Sequence, residues 1–192
     1  MNKVVKIALV SCLANVAFSV CYFIFGITDG SWWLLTLGSY YVVLSLVRLV
    51  VLRMKSNGRF IVIFTGIMLM VLSLPLCGTV ILAVVRDRGH DLHMIVMIAV
   101  AVYAFTKITL ATINLIRPSC VSSVTVKSLQ YISLSDALAS IFALQRSMLV
   151  SFDGMQELEI VIMNGLLGSV VCIFVFLLGL NLARSNKRKD QV

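Results

Sequence analysis

Charged side chains are scarce in this 192-residue chain. They make up 12% of it, about half the share usual in soluble domains. There are two prolines and two histidines. The five cysteines, Cys12, Cys21, Cys77, Cys120 and Cys172, form no C-x-x-C pair, which argues against zinc and disulfide frameworks and for small apolar packing residues. The sequence also lacks G-x-S-x-G, H-E-x-x-H and a phosphate-binding loop, so nothing points to an enzyme or to a cofactor. What fills the chain instead is apolar: 60% of its residues are hydrophobic, far more than one soluble core of this size can hide. The bilayer is the expected solvent for most of them.

A helix needs about 20 apolar residues to cross a bilayer. Six candidate spans meet this: 4–26, 31–52, 60–85, 94–116, 127–150 and 160–183. The expectation is an all-α polytopic membrane protein of six transmembrane helices, a single domain over residues 1–192 with a short basic tail at 184–192. The first span follows Lys3 and Lys6 as a signal peptide would, but it is too long for one, and "FGITDGSWW" offers no small-x-small cleavage site, so it reads as a retained helix.

The net charge of +8 is placed at helix ends and not on a soluble basic domain, which argues against nucleic acid as a partner and for anionic lipid headgroups. Lys3, Lys6, Arg48, Arg53, Lys55, Arg59, Arg117, Lys127, Arg184, Lys187, Arg188 and Lys189 all fall on one side of a six-span topology. Asp29, Asp87, Asp91, Asp153, Glu157 and Glu159 fall on the other. The excess of Lys and Arg places both termini in the cytoplasm. Trp32 and Trp33 open the second helix at its outer end, as an aromatic belt does. Pro75 predicts a kink in the third helix.

Polar residues inside the spans are the candidates for function. Lys107 lies ten residues before Arg117, and Asp136 nine after Lys127, so each is roughly 14–15 Å from the cytoplasmic edge at the helical rise. They stand at one depth on consecutive antiparallel helices, and an ion pair is the natural arrangement. Each charge alone costs about 2.5–3.5 kcal/mol on insertion scales. Tyr103, Lys107 and Asn114 share a face of the fourth helix, Ser133, Asp136 and Ser140 one of the fifth, and Gly38, Tyr41, Ser45 and Arg48 one of the second. Asn15 sits near mid-depth on the first. The candidate intramembrane polar site is therefore Lys107, Asp136, Asn15, Tyr103, Ser133 and Ser140. Arg48, five residues from Arg53, is expected to snorkel to the inner headgroups as an anchor. Thr106, Thr109 and Thr112 weigh less, because their hydroxyls can bond back to helix carbonyls.

Two other features weigh little. His90 and His93 in the loop "RDRGHDLH" are weak metal candidates, and a solvated loop is the simpler reading, so no metal is expected. Asn164, Gly168 and Cys172 follow small-xxx-small spacing, which suggests close helix packing.

The stretch "SWWLLTLGSYYVVLSLVRLVVLR" (31–53), with its aromatic pair, Tyr-Tyr and closing Leu-Arg, resembles small multi-pass membrane proteins of bacteria. The stretches "YAFTKITLATINLIRPS" and "ISLSDALASIFALQRSMLVSF" within 103–152 resemble them too. The resemblance covers about half the chain. It implies one membrane domain in a bacterial inner membrane and brings no activity and no functional residues.

Two functions stay open. In a transporter, or the membrane subunit of one, the pair lines a path for an ion, proton or polar solute. In an accessory or scaffolding protein the pair is a staple, and a homo-oligomer or a membrane partner protein is the expected company. A lipid-modifying enzyme is a third reading, and it requires a cleft open to headgroups.

Overall fold

The computed structural model describes residues 3–28, 30–54, 57–85, 94–116, 124–151 and 156–184. These form six α-helices: α1 (Lys3–Thr28), α2 (Trp32–Arg53), α3 (Gly58–Val85), α4 (Met94–Ile116), α5 (Val124–Ser151) and α6 (Glu157–Arg184). No strand occurs among the described residues. Each helix covers one expected segment, with ends shifted by at most a few residues. Among the described residues four helices contain stretches long and apolar enough to cross a membrane: Leu9–Thr28, Trp32–Arg53, Gly58–Val85 and Leu158–Arg184. The apolar stretch in α4, Val100–Ile113, is shorter, and α5 has none.

Packing explains α5. It touches α2, α3, α4 and α6, whereas α1 packs chiefly on α2. A helix enclosed by others need not be apolar, and α5 buries Ser128, Ser135, Asp136, Ser140, Arg146 and Ser147 beside Leu129, Ile132, Phe142 and Ala143. The outer helices show the opposite pattern. Leu13, Val16, Val20 and Ile24 of α1, and Leu166, Ile173, Phe174 and Leu177 of α6, point outward. An apolar exterior around a partly polar interior suits hydrocarbon surroundings, where polar groups must find partners within the protein.

The α3–α6 pair owes its closeness to glycine. A Cβ on Gly66 would lie 2.8 Å from the Gly179 carbonyl oxygen, and one on Gly179 2.7 Å from that of Gly66. The two backbones therefore touch, as small residues permit. Further along, Gly168 faces Val80, whose Cγ2 would stand 2.6 Å from an added Cβ. Its small-residue companions Asn164 and Cys172 are buried as well. α3 runs through Pro75 without ending, although that residue cannot donate a backbone hydrogen bond.

The α1–α2 connection closes on Gly30, with φ +65°. The Ser31 amide donates to the Gly26 carbonyl at 3.0 Å. A left-handed glycine after a helix with this long return bond is a Schellman ending. α6 opens with half a capping box: the Gln156 amide donates to the Glu159 carboxylate at 3.3 Å.

Candidate functional site

Four helices contribute side chains to one buried polar cluster. α1 carries Ser11, Asn15 and Ser19 at spacings of four, so all three share a face. α2 carries Tyr41, Ser45 and Arg48, α4 Tyr103 and Lys107, and α5 Ser133, Asp136 and Ser140. The centre is one carboxylate oxygen. Asp136 Oδ2 accepts from the Lys107 ammonium, from Asn15 Nδ2 at 3.0 Å and from an Arg48 guanidinium nitrogen at 3.2 Å. Asn15 Oδ1 in turn accepts from the Lys107 ammonium and from the Tyr103 hydroxyl. The Asn15 amide thus bridges cation and anion with both of its ends.

Arg48 does not take the role expected of it. The residue is 0% exposed and its side chain turns inward, bonding Ser11, Asp136 and Ser133. An inward carboxylate and two hydroxyls hold it there, because a guanidinium offers five fixed donors that a multi-acceptor interior can use. The signal was present in the sequence: Arg48 continues the stripe of Tyr41 and Ser45 toward the core. Ser11 was missed, although it lies one helical turn before Asn15 on the same face.

Ser140 sits one turn from Asp136. Its hydroxyl donates to the Asp136 carbonyl at 2.8 Å and contacts the Tyr41 hydroxyl at 3.1 Å. Ser133 reaches only Arg48, at 3.4 Å. The six candidate residues and Arg48 therefore lie together. Asn114 belongs to the same α4 stripe, but its side chain lies outside the described residues. Two of the α4 threonines bond back to their own helix, Thr106 to the Val102 carbonyl and Thr109 to that of Phe105.

Aromatic rings close one side of the cluster. Phe18 stacks on Tyr103 with centroids 3.6 Å apart, and Tyr22 on Tyr41 at 5.8 Å. Tyr41 meets Tyr103 edge to face at 6.4 Å. The Lys107 ammonium stands 4.9 Å from the Tyr103 ring centroid, within cation–π range. In α1, α2 and α4 these rings lie on the side of the charges that faces the Gly30 connection. Arg48, Ser11 and Ser133 lie on the opposite side, toward the start of α1 and the end of α2.

The formal charge is uneven. Two cations, Arg48 and Lys107, face one carboxylate, and Asp136 is 0% exposed. Asp136 Oδ1, Arg48 Nε and Ser45 Oγ are buried without hydrogen-bond partners. Among the described residues no three His, Cys, Asp or Glu side chains group as metal ligands. His90 and His93 lie outside the described residues, and so does Cys120.

A second buried arginine stands apart. Arg146 of α5 donates to the Ala83 carbonyl at 3.0 Å and lies over the Trp33 ring, 4.6 Å from its centroid. Trp33 is buried while Trp32 points outward, so one tryptophan of the pair suits an interfacial belt and the other packs on a cation. Compared with known proteins, the chain matches no family model, no curated protein and no solved structure.

Proposed function

We propose that the chain is a six-span integral membrane protein of a bacterial inner (plasma) membrane, with both termini in the cytoplasm, and that it transports an ion or polar solute or forms the membrane subunit of such a transporter. The supporting observation is the excess buried cation. A staple between α4 and α5 is complete with Lys107 and Asp136 alone. A second buried cation adds a desolvation cost with no further anion to offset it. Charge held inside a membrane domain beyond structural need is a functional candidate by default. Residues Lys107, Asp136, Asn15, Tyr103, Ser133 and Ser140 form the path-lining set, now with Arg48.

Flux measurement tests the reading. The purified chain in liposomes is expected to pass at least one class of ion or polar solute faster than empty liposomes, and Arg48→Gln is expected to change that rate at least tenfold. Equal flux with and without protein across inorganic cations, anions, protons, amino acids and sugars would overturn it.

A specific observation favours the accessory role as second reading. Lys107 packs against Asp136 and Asn15 instead of facing water, as a staple does. That role predicts stable co-purification with another membrane protein, and assembly unaffected by Arg48→Gln.

A further inference from the structure

The charge imbalance and the unpartnered donors occur at the same place. Arg48 Nε and Ser45 Oγ are both donor-capable and buried, and neither has a partner. The two residues are three apart on α2, hence on one face. Arg48 is the member of the cluster on the side away from the aromatic rings. Its other two nitrogens already hold Ser11, Ser133 and Asp136. Lys107 and Arg48 share one carboxylate oxygen, Asp136 Oδ2; Asp136 Oδ1 has no partner, yet one carboxylate cannot balance two cations.

We infer that the edge of this cluster at Arg48 Nε and Ser45 Oγ is a binding site for a small monovalent anion, of the class of halide, nitrate or short carboxylate. One negative charge neutralises the residual +1 of Arg48, Lys107 and Asp136, and an acceptor-only ligand satisfies both idle donors. A dianion overshoots the charge. A cation meets two like charges and a single carboxylate whose Oδ2 already serves three donors. Stacked Phe18, Tyr22, Tyr41 and Tyr103 close the route from the Gly30 side, so the anion enters from the end where α1 begins and α2 ends. The inference gives the transport reading its substrate class and rests on that reading only for the anion's passage, not for its binding.

The test uses the full chain purified in detergent, at constant ionic strength, with sodium gluconate exchanged for sodium chloride, nitrate or acetate. The expected result is a saturable rise in Tm of roughly 2–4 °C, the size that about 1 kcal/mol of ligand binding produces in a chain of this length. Ser45→Ala is expected to raise the half-saturating concentration several-fold. Arg48→Gln is expected to abolish the rise while lowering the Tm in gluconate far less than Asp136→Asn does, because Lys107 and Asp136 remain a balanced pair. Lys107→Met balances the charge from the other side and carries the same expectation, so the test stands if Arg48→Gln does not fold. No saturable rise in wild type, or an equal rise in both variants, overturns the site. Binding without anion flux in liposomes rejects transport and keeps the site. Flux of another solute without anion binding rejects the site and keeps transport.

Discussion

Asp136 Oδ2 serves three donors from three other helices, and this makes the consequences of substitution unequal. Asp136→Asn leaves Arg48 and Lys107 buried together without an anion, and is expected to destabilise by about 3–5 kcal/mol, the range for breaking a buried ion pair. Arg48→Gln and Lys107→Met each leave one cation and one carboxylate, and are expected to cost much less. Thermal unfolding of the three variants side by side checks this; equal losses would show that charge balance does not govern the cluster. The exchange Lys107→Asp with Asp136→Lys is expected to fail as a rescue, because a lysine at 136 would face Arg48. Adding Arg48→Gln to that exchange removes the clash and is expected to recover stability. The pairing of Lys107 with Asp136 was legible in the sequence from depth alone, because helical rise converts residue count into distance. The inward turn of Arg48 was legible only in part: its stripe with Tyr41 and Ser45 points to the core, but its distance from the helix end fits a headgroup anchor as well, and Ser11 and Ser133 across the gap decide it.

At the scale of elements, glycines with unlike reasons predict unlike outcomes. Gly66→Ala and Gly179→Ala push a methyl into the facing backbone and are expected to destabilise by about 1–3 kcal/mol through overpacking. Gly30→Ala meets nothing within 4 Å, yet its positive φ is expected to cost about 1 kcal/mol. Gly78 is helical and has open space around an added Cβ, so Gly78→Ala is expected to stabilise by up to about 1 kcal/mol through helix propensity. Denaturation midpoints for the four variants check the order. Helix positions were legible because long apolar runs broken by charged loops leave little choice of boundary. The pairing of α3 with α6 was not, since helices far apart in sequence give no mutual signal; "NGLLGSVVC" announced a close contact without naming its partner. For α5 the sequence reading relied on the alternation of loop charge, because its own composition is too polar to identify it as a span.

For the whole molecule, the distribution of loop charge predicts where the ends lie. A reporter at the C-terminus that is active only in the cytoplasm is expected to work, and the same reporter in the 86–93 loop is expected to be silent. The reverse result would invert the bundle and, with it, the side from which the Arg48 edge of the cluster is reached.

The enclosure of α5 also bears on how the protein is made. With Lys127, Asp136 and Arg146 among its residues, α5 gains little by entering lipid alone, and its serines find their partners only once neighbours stand beside it. If α5 spans the bilayer as proposed, its insertion depends on its neighbours more than on its own sequence. In an insertion assay, α5 fused alone to a reporter is expected to stay out of the bilayer, and α5 preceded by α1–α4 to enter. Asp136→Asn in the longer fusion is then expected to lower the inserted fraction, so that the residue at the centre of the polar cluster also controls whether the last two helices take their place.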